Sequence, residues 1–175
     1  MYFVFSPFHY FSLCLRASVA NFYTFLYMNF VIFLLNDVRY AINISVVEEV
    51  IPLPAITSIA RLPSFIRGII NLRGNTIPVI DLKERLGIGA SPYELNNDII
   101  IVKAHNKVAG FIVDDTLSIT DIPDNLFTPP PDIINGIDIR YISATAQIGK
   151  DLIISLNLDN ILSLKEKEEF VKLEV

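Results

Sequence analysis

Residues 99–102 (Ile-Ile-Ile-Val) and 111–113 (Phe-Ile-Val) are apolar at every position, and residues 152–156 are interrupted only by Ser155. Successive side chains of a strand point to opposite faces, so a run without polar alternation is covered on both sides. No helical pattern of about 10–15 residues alternates with these runs, which argues against a parallel sheet of strand–helix–strand units. Short strands covered on both faces predict an all-β fold of about ten strands, closed into small barrels packed against each other.

Turn chemistry places the other elements. Residues 30–35 and 38–42 flank Asn36-Asp37 and read as a hairpin. Residues 44–50 are apolar at 44, 46, 47 and 50 around Glu48 and Glu49; they read as an amphipathic helical turn or two, stopped by Pro52 and Pro54. Residues 63–68 read as a short helix with a glycine exit. Residues 69–72 and 76–82 form a second hairpin about Arg73-Gly74-Asn75, where the glycine is free to take positive φ. Residues 83–86 are one helical turn closed by Gly87, and 87–97 a surface loop. A third hairpin sets His105-Asn106 between 98–104 and 107–113, and 117–122 continues as a strand. Residues 127–131, ending in three prolines, must be extended, and because proline cannot donate to a ladder they lie at an edge or cross between units. Residues 137–144 and 152–158 are the last strands, and 159–168 is helical and charged.

The start of the chain has a different composition. Eleven of the 19 aromatic residues fall in the first 30 positions, where Arg16 is the only full charge. Residues 17–36 are uncharged and long enough for a membrane span, with Arg16 before them and Asp37 after. Asn21, Thr24 and Asn29 interrupt that stretch, and its last third is needed for the first strand. A secretory signal fits poorly, because the basic residue follows the first apolar run and no small-residue cleavage site precedes a polar start. Residues 1–28 are therefore set apart from a core at 29–164 and a charged tail at 165–175. Three readings of residues 1–27 stand: an extension upstream of a true start at Met28, a membrane-associating segment, or part of the fold.

Several chemistries are excluded. A net charge of −5 without any basic run argues against nucleic acid, whose phosphates need clustered Lys and Arg. One cysteine, Cys14, rules out an internal disulfide and a cysteine-based metal cluster, and His9 and His105 have no zinc spacing. Cys14 beside His9 lacks an orienting acid for nucleophilic catalysis. Gly87-Ile88-Gly89 lacks the third glycine and following helix of a phosphate loop. Glu48-Glu49 and Asp114-Asp115 are neighbours that face opposite ways in a strand, so neither pair is an acid/base dyad. No catalytic, cofactor or metal residue is expected, and no small-molecule substrate.

Residues 63–82, Pro-Ser-Phe-Ile-Arg-Gly-Ile-Ile-Asn-Leu-Arg-Gly-Asn-Thr-Ile-Pro-Val-Ile-Asp-Leu, resemble the signature of the CheW-like chemotaxis coupling proteins. That signature runs P-x-F-I-K/R-G-x-x-N-L-R-G-x-x-x-P-V-x-D-L. The strands at 30–35 and 40–44, the Val-Val-Glu-Glu-Val turn at 46–50, Gly-Phe-Ile-Val-Asp at 110–114 and the prolines at 129–131 fit in order. The chain departs from the family pattern at the Asn36-Asp37 and His105-Asn106 turns, usually written with glycine, and matches loosely over 134–148.

The resemblance implies two five-stranded SH3-like barrels, forming two subdomains about a hydrophobic interface, with a short C-terminal helix. It implies a cytoplasmic, non-enzymatic adaptor without cofactors. Such a protein bridges the cytoplasmic tip of methyl-accepting chemotaxis receptors to the regulatory domain of a CheA-type histidine kinase. It would sit in receptor arrays at the inner face of the membrane, associated with it only through the receptors. Two alternatives are a divergent paralogue serving another motility system, such as type IV pili, and a membrane-tethered signalling component using residues 1–27.

The implied partner residues each have a plainer reading beside them. Arg73, in the hairpin with Asn71 and Gly74, offers a planar fork to a partner carboxylate, or pairs internally with Glu49 or Asp81. Val47 and Glu49 match family contact positions, or serve as a core residue and a solvated charge. Ala109 and Gly110 leave a small-residue gap for a helical receptor tip, or Gly110 only permits close packing.

Overall fold

The structure, a computed structural model, describes residues 27–89, 96–104, 107–131 and 136–161. One sheet is inserted into the chain of another. Strands β1 (Tyr27–Leu35) and β2 (Val38–Asn43) form a hairpin closed by Asn36 and Asp37, both at positive φ. A 3-10 turn (Ile44–Val46) then leads to β3 (Val47–Pro52), β4 (Ile66–Leu72), β5 (Asn75–Asp81), helix α1 (Leu82–Leu86), β6 (Asp98–Ala104) and β7 (Lys107–Val113). The chain returns through β8 (Asp115–Pro123), β9 (Phe127–Thr128), β10 (Ile142–Ile148), β11 (Asp151–Leu156) and helix α2 (Leu158–Ile161). The six-stranded sheet A has the order β8-β1-β2-β11-β10-β9, and the five-stranded sheet B the order β3-β6-β7-β5-β4. The two expected units are present; sheet A has a sixth strand because the two-residue β9 adds at its edge, where the proline run begins.

The unbroken apolar runs are explained by three clusters. Along β6, Ile99 and Ile101 enter a core belonging to sheet B, with Ile70, Ile77, Val79 and Ile112. Ile100 and Val102 point the other way, into a core shared by both sheets with Phe33, Tyr40, Ile80 and Phe111. Strand β1 divides likewise: Phe30 and Ile32 enter sheet A's own core, and Val31, Phe33 and Leu35 the shared one. Burying both faces of a strand leaves no position for an exposed polar residue, hence the absence of alternation. Within the shared core, Tyr40 is 1% exposed and stacks on Phe33 at 6.0 Å between ring centroids. Burial pushes its phenol up to about 12.

Three expectations are corrected. Only residues 44–46 form a helical turn; Val47–Pro52 is a strand paired with β6, and its register shifts between Val47 and Glu49. That bulge disturbs the period-two pattern and made the segment resemble a helix. Residues 63–68 do not form a helix: β4 begins at Ile66, and Gly68 lies within it at φ +145°. There Thr57 and Ile69 exchange two backbone hydrogen bonds of 2.9 Å, and a Cβ on Gly68 would lie 2.1 Å from the Thr57 carbonyl oxygen. Glycine is required because another backbone crosses over it. Finally, Ile139–Tyr141 is a 3-10 turn, so the strand expected from 137 starts only at Ile142.

Helix α1 closes as expected, with Gly87 in the left-handed conformation at its end and Asp81 capping its start. The backbone of Tyr27 and Met28 is already paired, opposite Pro123 and Ile122. Residues 1–26, the His105-Asn106 turn, most of the loop after Gly89 and the residues after Ile161 lie outside the described residues.

Candidate partner-binding surface

The β4–β5 hairpin is a two-residue turn in which both Arg73 (φ 53°) and Gly74 (φ 88°) are left-handed, with Leu72 opposite Asn75. Such a turn matches the twist of its flanking strands. The Asn71 side-chain oxygen accepts from the Gly74 backbone N–H at 3.0 Å and holds it. Arg73 therefore projects from a fixed base. Its side chain is 78% exposed, and one terminal nitrogen donates to Glu49 Oε2 at 2.8 Å. Glu49 lies on β3 with only a quarter of its side chain exposed, so the guanidinium is held from its better-buried end. Around the pair is a groove of about 560 Å³ lined by Glu48, Leu72, Asn75, Thr76 and Val108.

A second groove, of about 350 Å³, lies between β3 and β8. Each is an edge strand, β3 of sheet B and β8 of sheet A. Val50, Leu117 and Ile119 stand at its rim with 38%, 41% and 63% of their surface exposed, and Val31, Ile44 and Val47 line it below. Thr116 Oγ1 beside them is buried without a hydrogen-bond partner among the described residues. Glu48 and Glu49 line both grooves, so β3 is their common wall.

Behind these surfaces the charges are buried and heavily bonded. Asp81, 2% exposed, accepts from Arg67 Nη2 at 2.7 Å and Nε at 3.2 Å, and from the Glu84 backbone N–H at 3.2 Å. Arg67 also reaches Glu84 at 3.2 Å. Lys83, 8% exposed, meets Asp114 Oδ1 at 2.6 Å. Arg85 lies over the Phe65 ring at 4.5 Å and the Tyr141 ring at 5.2 Å, and donates to the Ile161 carbonyl at 2.8 Å, fastening α1 to the end of α2. Among the described residues no group of acidic, His or Cys side chains is arranged to hold a metal ion.

A family model described as the CheW-like domain matches residues 29–166. The chain belongs to the CheW-like family. It is 28% identical over 137 residues to the chemotaxis protein CheW of Klebsiella aerogenes, covering 78% of this chain and 82% of that one. It is 30% identical to CheW of Bacillus subtilis over 79% of this chain and 86% of that one. A crystal structure of the scaffolding protein TtCheW from Thermoanaerobacter tengcongensis superposes with a TM-score of 0.74 at 37% identity, covering 81% of this chain and 91% of that one.

The expected site residues fall in three places. Arg73, Asn71, Gly74 and Glu49 come together on one exposed hairpin and its neighbouring strand. Arg73 pairs with Glu49, and Asp81 is occupied by Arg67 instead. Val47 is half-buried, packed against the shared core and lining the β3–β8 groove. Ala109 and Gly110 are elsewhere, buried inside sheet B. A Cβ on Gly110 would lie 2.8 Å from Ile99 Cγ2, so that glycine admits a neighbouring side chain and leaves no surface gap. Sequence reasoning missed Leu117, Ile119 and Val50. The signal for the first two was an apolar residue at every second position of 117–119, on what proves to be an edge strand.

Among the described residues no helix is long and apolar enough to cross a membrane.

Proposed function

We propose that this chain is a non-enzymatic chemotaxis adaptor joining a CheA-type histidine kinase to methyl-accepting receptors, at the inner face of the membrane through those receptors. Its membership of the CheW-like family supports the class, and the surfaces suggest the division of labour. The Arg73–Glu49 hairpin meets the regulatory domain of the kinase. An exposed guanidinium with one nitrogen engaged keeps further donors for a carboxylate or carbonyl of a partner. The β3–β8 groove takes the helical receptor tip, whose apolar face would cover Val50, Leu117 and Ile119. The observation that carries this reading is the grouping of a rigidly held, exposed ion pair and an apolar groove on the two sides of β3.

Binding of the purified chain to each partner separately tests it. Arg73→Ala, shown to be folded, should lose capture of the kinase regulatory domain. Ile119→Glu should lose capture of a receptor tip fragment. Unchanged binding in either folded variant removes the corresponding assignment.

A further inference from the structure

The β3–β8 groove has walls in different sheets, so its width depends on how the sheets are joined. The chain crosses between them at Asp114, after β7 and before β8. Asp114 is bonded in every direction. Its Oδ2 accepts from the Asn36 backbone N–H at 2.8 Å and its Oδ1 meets Lys83 Nζ at 2.6 Å. Its own N–H donates to the Leu34 carbonyl at 3.0 Å, and its carbonyl accepts from Asn97 Nδ2 at 3.3 Å. Two residues on, the Thr116 backbone N–H donates to Asp98 Oδ2 at 3.1 Å. Asp98 is the β6 residue opposite Pro52, the last residue of β3. Sheet A thus grips the crossing through Leu34 and Asn36. Sheet B and helix α1 grip it through Asp98, Asn97 and Lys83. Leu117 and Ile119 follow directly, one and three residues after Thr116.

We propose that Lys83, Asp98 and Asp114 are positioning residues that set the width of the β3–β8 groove. They govern its affinity for an apolar helix without touching that helix. The inference rests on the groove's being the receptor site. The physical reason is the short range of packing forces: a radial gap of about 0.5–1 Å forfeits roughly a quarter to a half of a contact's attraction. A small rotation of β8 about a loosened crossing therefore weakens the whole apolar contact. The Arg73–Glu49 pair lies within sheet B, on β3 and the β4–β5 hairpin, and does not depend on the crossing.

The test uses the intact chain carrying Lys83→Met, Lys83→Arg, Asp98→Asn or Ile119→Glu, titrated separately with a receptor tip fragment and the kinase regulatory domain. Lys83→Met and Asp98→Asn should each weaken the receptor fragment by about tenfold and change kinase affinity by less than about twofold. Lys83→Arg, which keeps the charge, should restore the receptor fragment. Equal losses for both partners, or an unchanged receptor affinity in a folded variant, overturn the inference. Should Lys83→Met fail to fold, Asp98→Asn decides alone, since it keeps the side chain's shape. Ile119→Glu separates the two failures. If it also leaves the receptor fragment unaffected, the groove is not the receptor site and the positioning role falls with it; if it abolishes binding while Asp98→Asn does not, only the positioning role falls.

Discussion

Two arginines six residues apart, Arg67 just before Gly68 and Arg73 just before Gly74, make ion pairs of nearly equal length with opposite consequences. Arg67 meets Asp81 at 2.7 Å, with the carboxylate 3% exposed; Arg73 meets Glu49 at 2.8 Å, with the guanidinium 78% exposed. In the first, both aspartate oxygens are engaged, and removing one partner strands a charge in the interior. In the second, solvent screens the attraction and most guanidinium donors face outward, so the pair contributes little to stability. Length alone does not distinguish a structural ion pair from a recognition element. Burial of the acidic partner and the number of donors already used do.

The largest expected effect breaks the buried side of this contrast. Asp81→Ala removes the Arg67 pair and the α1 cap together, and should cost about 3–5 kcal/mol in urea unfolding. A loss below about 1 kcal/mol would place the pair in the weak, solvated class.

High pH tests the core between the sheets. The folded Tyr40 phenol sits at about 12 against an ordinary 10.0, so the fold favours its neutral form. That contribution is complete below pH 10 and declines as the pH rises from 10 towards 12, by about 2–3 kcal/mol in all. Tyr40→Phe should flatten this part of the stability–pH curve, and a variant with the same slope as the parent would contradict the assignment.

Gly110→Ala should cost about 1–3 kcal/mol from overpacking against Ile99. Melting at the parent temperature would mean that sheet B has room there after all. At the small end, Arg73→Ala should leave unfolding free energy within about 0.5 kcal/mol of the parent while abolishing capture of the kinase domain. A large drop in stability would move Arg73 to the same class as Arg67.

Local sequence carried the strands and turns where side-chain chemistry and backbone geometry agree. Asn36-Asp37 and Arg73-Gly74 close hairpins, Gly87 ends α1, and the unbroken runs at 99–102 and 111–113 lie between two cores. It failed where a distant backbone decides. Gly68 ends no helix, because Thr57 crosses above it, and Glu48 is displaced by a bulge that only pairing with β6 creates. The same limit applied to the site. Arg73 and Glu49 were legible because a rigid hairpin announces an exposed side chain. The β3–β8 groove was not, because its walls lie about seventy positions apart in the chain and meet only after both sheets form.

The insertion of sheet B within sheet A also has a consequence during synthesis. The β1–β2 hairpin is made first, yet its partners are β8, opposite Tyr27–Leu34, and β11, opposite Arg39–Ala41. As the chain emerges from the ribosome, sheet B can close as soon as residue 113 is out, while the hairpin waits with two unpaired edges and apolar faces. Closing a loop of that length before contacts repay it makes sheet A the slow, aggregation-exposed half of the molecule. Sheet B can thus form before the strands that flank it in sequence have all been made, and can serve as the template on which β1–β2 and β8–β11 are joined.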